Sequence, residues 1–222
     1  MILDAEELKY TTDRMKIYDI KYQEIYNELL DHVITGIEER RVAGDGREIS
    51  IVFQNVIDDH FNGYTGIEEV ARLHEKAYRQ KVNRMLRDNL KYYINWQSFT
   101  YVLAALIIGM LLPDIKIVVK ILTAVVFVMA FVPMLYSYIE MRKVKGGKGK
   151  YSLIHAYVTS QAALPITILN CVIFLPKLFQ DEYNLLLLVP PVFLVMLIAL
   201  LYIYMLSCIR LCKQELQSVI NI

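Results

Sequence analysis

The sequence predicts an all-α protein: an N-terminal cytosolic helical bundle followed by a four-helix transmembrane bundle. Three observations predict it. Hydrophobic residues make up 56% of the chain, above the roughly 45–50% of an ordinary soluble domain, and the mean hydropathy is +0.37. Charge is crowded ahead of Trp96 and sparse after it. Finally, Arg142, Lys143, Lys145, Lys148 and Lys150, interleaved with three glycines, interrupt an apolar half that runs from Trp96 to Cys212. Five cations cannot lie in hydrocarbon without a large desolvation cost, so this stretch is a basic hinge joining two membrane hairpins. The expected division is a bundle over residues 1–90, a four-span domain over 91–213 and a cytosolic tail over 214–222.

In the first part, Asp4-Ala5-Glu6-Glu7 has capping-box spacing and opens a helix to about Lys16. Asp19 is the expected N-cap of the second helix. Tyr22, Ile25, Tyr26, Leu29, Leu30, Val33 and Ile37 then recur at three- and four-residue steps, which marks one buried helical face. Gly44-Asp45-Gly46 supplies a turn. A third helix follows over residues 48–61, with Ile49, Val52, Phe53, Val56 and Ile57 inward and Asn62-Gly63 as its C-terminal stop. Thr65-Gly66-Ile67-Glu68 opens a fourth helix, with Ile67, Val70, Ala71, Ala77 and Tyr78 inward and Arg79, Lys81, Arg84, Arg87 and Lys91 outward. With no proline or glycine between Ile67 and Phe99, this helix is expected to run straight into the membrane.

Four spans are expected in the second part, over residues 96–112, 115–139, 151–175 and 185–208. Tyr92, Tyr93 and Trp96 anchor the first at the interface. Pro113-Asp114 is a turn, residues 176–184 a loop, and Pro190-Pro191 a kink or the true start of the last span. Twelve lysines and arginines flank one side: five between Arg79 and Lys91, five in the hinge, and Arg210 and Lys213. The other side has three, Lys116, Lys120 and Lys177. The positive-inside rule therefore places the hinge and both termini in the cytoplasm, as an even number of spans requires. Met1–Glu7 is acidic and lacks the apolar core of a signal peptide, so the first apolar helix is the expected insertion signal in a cell (inner) membrane. Cys171, Cys208 and Cys212 all fall in the membrane half, which fits a soluble part kept in a reducing compartment. Cys208 and Cys212, one turn apart, have the spacing of a metal pair or lipidation site but read better as small buried hydrophobes.

The soluble half contains Tyr22-Gln-Glu-Ile-Tyr-Asn-Glu-Leu-Leu-Asp-His-Val33, Ile37-Glu-Glu39, a glycine turn, Val56-Ile-Asp-Asp-His-Phe61, Gly63 and Gly66-Ile-Glu-Glu-Val70. Over residues 3–74 this resembles the bacterial helical domain known as HAAS, or permease prefix domain. Phe61-Asn62-Gly63 stands here where the family has a tighter corner. The resemblance implies a signalling or adaptor role and no catalytic residue.

Candidate chemistry is sparse. Glu28 and His32 share a helix face, and Asp31, Asp58, Asp59 and His60 stand near enough in the pattern to form a carboxylate–imidazole metal site. A hydrogen bond from His32 across the bundle and solvated carboxylates account for the same residues without a metal, and the Glu-x-x-His spacing of a di-metal site is absent. In the third span His155, Thr159 and Asn170 fall on one face, a polar intramembrane stripe that serves either helix packing or a substrate path. No phosphate loop, Ser-His-Asp set or CxxC is present, no cofactor is implied, and a net charge of +1 gives no case for nucleic acid. The expected partners are the lipid bilayer and a protein, or a second copy, bound through the cytosolic bundle. The expected function is that of a membrane-anchored regulatory or adaptor protein. The alternatives are a small transporter or permease subunit with the third span lining its path and, further off, a membrane-embedded enzyme.

Overall fold

The structure is a computed structural model and describes residues 3–142, 151–178 and 185–220. Of the basic hinge, Arg142 is described, while Lys143, Lys145, Lys148 and Lys150 lie outside the described residues. Every regular element among the described residues is helical: α1 Ala5–Met15, α2 Gln23–Val42, α3 Ile49–Phe61, α4 Tyr64–Tyr93, α5 Trp96–Leu111, α6 Lys116–Met141, α7 Leu153–Leu178, a 3-10 turn Leu185–Leu188, and α8 Pro191–Ile220. The chain forms two compact units. One is Met1–Gln80 with Lys145–Leu153, and the other is Lys81–Val144 with Ile154–Ile222.

The first unit is held by a water-excluded core. The Asp4 carboxylate accepts from the Glu7 amide at 2.7 Å and starts α1. The expected stripes close on one another: Ile25, Tyr26, Leu29, Val33 and Ile37 of α2 are buried, as are Val52, Phe53, Val56 and Ile57 of α3 and Ile67 and Ala71 of α4. Leu30 is half-buried and Ala77 is exposed. Gly36 sits at the tightest approach of α2 to α3. A Cβ there would stand 2.9 Å from Val56 Cγ1 and 3.0 Å from His60 Cε1, so only hydrogen fits without displacing α3. Asn62 ends α3 in the left-handed region at φ 57°, where asparagine is tolerated better than most residues. In the turn after α2 the Arg47 guanidinium, bonded to Asp45 at 2.7 and 2.9 Å, holds that carboxyl well below the usual carboxylate range.

Two expectations for the first four helices are corrected. Asp19 does not cap α2. Its amide donates to Glu68 Oε1 at 3.1 Å, and α2 starts behind Tyr22, whose backbone is extended at φ −105°, ψ 135°. Nor does α4 run straight on. It stops at Tyr93, and Asn95 caps a new helix by accepting from the Ser98 amide at 3.0 Å. The axes on either side of the break differ by 70°. Asparagine at an N-cap competes for the amides that a continuous helix would use, so a break needs no proline or glycine.

Among the described residues three helices are long and apolar enough to cross a membrane: Lys116–Met141, Leu153–Phe174 and Pro191–Gln217. The expected first span corresponds to α5, which has 16 residues and a length of about 24 Å, short of a hydrocarbon core of about 30 Å. It makes a fourth only if the bent α4–α5 pair is taken as one. Helix α7 continues through Pro176 to Leu178 where a loop was expected, and 179–184 lie outside the described residues. Pro190-Pro191 marks a true start, because Pro191 is the first residue of α8, where proline lacks only an amide that had no partner anyway. Residues 214–220, expected in a separate tail, continue α8. Val119, Val126 and Ala130 of α6, Leu169 of α7, and Leu194 and Leu201 of α8 share one apolar cluster, and Met141, Val158 and Cys212 form another. On the other flank of α8, Gly109 of α5 comes so close that a Cβ would lie 2.7 Å from Val192 Cα.

The tightness at Gly36 and the burial of Leu29 predict the cost of disturbing them. Leu29→Ala is expected to destabilise the first unit by about 2–5 kcal/mol, and Gly36→Leu by at least about 1–3 kcal/mol through overpacking. Hydrogen exchange of the α2 and α3 amides in the detergent-solubilised protein measures both. His32→Gln, at an exposed position, should leave that exchange unchanged.

Candidate functional site

The residues singled out in the sequence for chemistry do not come together. Glu28 Oε2 lies 3.1 Å from His74 Nδ1, a partner on α4 that the sequence did not point to. His32 and His60 are exposed, and His60 lies alongside Phe61 with 6.5 Å between ring centroids. Among the described residues no group of three or more histidine, cysteine or acidic side chains could hold a metal ion. On α7, His155 is half-buried with its ring 6.3 Å from that of Tyr138, the Thr159 hydroxyl is buried without a hydrogen-bond partner among the described residues, and Asn170 is exposed. Arg142 stacks over Tyr138 at 5.4 Å.

The most constructed local site is instead at Glu24, within the first unit. It begins with backbone. Tyr22 is extended, so the groups on either side of it point sideways, and Tyr151 lies parallel to it in an isolated bridge. The Gln23 amide donates to the Tyr151 carbonyl at 3.0 Å, and the Tyr151 amide donates to the Lys21 carbonyl at 3.3 Å. That pairing delivers the next two residues to Glu24. The Ser152 hydroxyl donates to Glu24 Oε1 at 2.6 Å, and the Leu153 amide donates to Glu24 Oε2 at 2.9 Å. Ser152 and Leu153 are buried.

The electrostatics favour the arrangement twice over. Glu24 lies in the first turn of its own helix, α2, and its carboxylate also caps the first residue of α7. Each helix N-terminus carries a partial positive charge and unsatisfied amides, so one anion answers two helix ends. Charge-assisted bonds of this kind are stronger than neutral ones. The groups involved are acceptors and amides, and what they can do is hold: α2 grips the residues that open α7 at a point 128 positions along the chain. Ser152, an N-cap residue type just ahead of an apolar run, was the one local signal for this site. Nothing in the neighbourhood of Glu24 announced it as the partner.

The second unit has a polar seam of its own. Lys81 Nζ of α4 meets Glu215 Oε1 of α8 at 3.0 Å, with Glu215 only 1% exposed. Asn89 donates to Gln214 at 2.9 Å, and Gln161 of α7 donates to Asn83 at 2.9 Å. The Tyr204 hydroxyl donates to the Gln161 carbonyl at 2.6 Å. Polar side chains thus tie α4, α7 and α8 together where apolar packing alone gives little specificity. No family model, curated protein or solved structure matches the chain.

Glu24→Ala removes both acceptors from the head of α7. A local loss of roughly 1–2 kcal/mol corresponds to about 5–30-fold faster opening. Hydrogen exchange at the Leu153 amide of the full chain is expected to accelerate by that factor. Glu28→Ala, one turn along the same helix, should leave Leu153 as it is.

Proposed function

We propose that this chain is a four-span protein of the cell membrane, with its termini and basic hinge in the cytoplasm, and that its N-terminal helical bundle is a regulatory or interaction module. One observation carries the reading. The bundle is tied to the head of α7 by the Glu24 carboxylate and the Tyr22–Tyr151 pairing, on top of its covalent link through α4. A partner that binds the bundle and shifts α2 therefore acts on the first turn of a candidate span. The likeness of residues 3–74 to prefix domains, which stand ahead of multi-span segments, supports the same role. The bent α4–α5 pair supports a fourth crossing, and the twelve-to-three excess of cations supports the orientation.

A second reading, a small transporter with α7 lining the path, rests on the hydroxyls of Thr159 and of Thr123 on α6, buried and without a partner among the described residues. Substrate flux in liposomes that is lost in Thr159→Val would favour it.

The test of the main reading has two parts, on a background in which the three native cysteines are serines. Gly147→Cys should resist a membrane-impermeant maleimide applied to intact cells, while Gln180→Cys reacts. The bundle, used as bait, should retain a protein from the same cells, and Leu29→Ala with Leu30→Ala should lose it. External labelling at position 147 contradicts the orientation, and equal recovery by the unfolded bait contradicts the module.

A further inference from the structure

Between the end of α4, the start of α5 and the flank of α8 lies a groove of about 550 Å³. Four tyrosines line it: Tyr92 and Tyr93 from α4, Tyr101 from α5 and Tyr202 from α8. Val102, Ala199 and Ile203 supply an apolar wall. The polar groups of Asn95 and Ser98 are engaged in the α5 cap, the Ser98 hydroxyl donating to the Tyr93 carbonyl and to Asn95 Oδ1, which also accepts from the Ser98 amide. The four tyrosine hydroxyls have no hydrogen-bond partner among the described residues. One cation stands beside them: the Arg210 guanidinium lies 3.9 Å over the Tyr92 ring, with no carboxylate partner among the described residues.

Depth identifies what fits. Arg210 lies nineteen residues after Pro191 on α8. At 1.5 Å per residue that is about 29 Å, close to the thickness of the hydrocarbon core. With Pro191 at one surface, Arg210 reaches the head-group level of the other. Exposed aromatic residues, Tyr92, Trp96 and Phe99, gather at the same end, where tyrosine and tryptophan favour the interface. A groove with the Tyr92 and Tyr93 hydroxyls at that end, a cation stacked on its Tyr92 rim, and an apolar wall continuing along α5 and α8 matches a molecule with an anionic head and a hydrocarbon chain. Free phosphate would leave the wall uncovered. A choline head would bring a second cation to Arg210.

We propose that this groove is a binding site for an anionic glycerophospholipid, with Arg210 and the hydroxyls of Tyr92 and Tyr93 holding the phosphate and one acyl chain lying against Val102 and Ile203. The cation–π contact fixes the guanidinium while leaving its N–H groups free to donate to phosphate oxygens. This goes beyond the role of the cytosolic bundle and does not depend on it.

The chain carries its own reporter. Trp96 is its only tryptophan, directly follows the groove residue Asn95, and is stacked on Phe99 at 5.6 Å. Full-length protein is reconstituted in phosphatidylcholine vesicles containing rising fractions of phosphatidylglycerol brominated at shallow chain positions, or of phosphatidylcholine brominated alike. Brominated phosphatidylglycerol is expected to quench Trp96 with an apparent preference of about fivefold, the scale of one basic residue at an anionic surface. Arg210→Gln and Ala199→Phe, which fills the groove, should each remove that preference at unchanged helix content. Arg210→Lys should keep most of it, which covers a failure of Arg210→Gln to fold. Lys213→Gln, exposed and one turn on, should keep it too. Equal quenching by the two lipids in the wild type, a preference that survives Ala199→Phe, or a loss in Lys213→Gln as large as in Arg210→Gln would each overturn the site.

Discussion

Close packing along α8 is the constraint on which the second unit depends. Lipid tails are as apolar as leucine, so burying one apolar helix against another gains little from the hydrophobic effect in a bilayer. What remains is dispersion at close approach and a few polar bonds. α8 supplies both. Gly109 lets α5 come to the backbone of Val192, Leu194 and Leu201 share a cluster with Val126 and Ala130 of α6, and the last turns of α8 carry Glu215 and Gln214 to α4. A carboxylate that is 1% exposed is tolerable only with a partner, and Lys81 provides one.

The first unit is stabilised differently. Its helices are amphipathic, and the buried stripes of α2, α3 and the start of α4 exclude water from one core. Its polar bonds lie around that core. Arg41 joins α2 to Glu7 of α1, Arg40 pairs with Asp59 of α3, and Glu28 meets His74. Arg41–Glu7 is half-buried, whereas the pairs at Asp59 and His74 reach solvent, and pairs of that kind contribute little to stability. The Glu24 bonds differ in that their partners, Ser152 and Leu153, are buried, and a carboxylate lost there leaves a buried amide unanswered.

Much of the helical architecture was legible in the residues. The cap at Asp4, the stripes of α2 and α3 and the stop at Asn62 are local features, set by spacing and side-chain type over a few turns. What was not legible comes from distant partners. Asp19 has the right chemistry for a cap, yet Tyr22 is extended because its neighbours bond to Tyr151, which no local pattern can announce. Asn95 has the chemistry of an N-cap, and the lack of proline and glycine around it hides the break from the sequence pattern. For the candidate site, Ser152 carried a signal and Glu24 did not. The stripe of His155, Thr159 and Asn170 is visible as periodicity, but burial divides it: Thr159 turns its hydroxyl inward while Asn170 is exposed.

The most direct test of α8 as the packing axis of this unit is the unfolding free energy of Gly109→Ala in lipid nanodiscs. By intrinsic propensity alone, alanine in a helix interior should stabilise by about 1 kcal/mol over glycine. The approach of Val192 predicts the opposite sign: a loss of about 1–3 kcal/mol from overpacking, with Ile108→Ala, at a position 55% exposed, nearly neutral. A Gly109→Ala protein as stable as the wild type, or more so, would contradict the account.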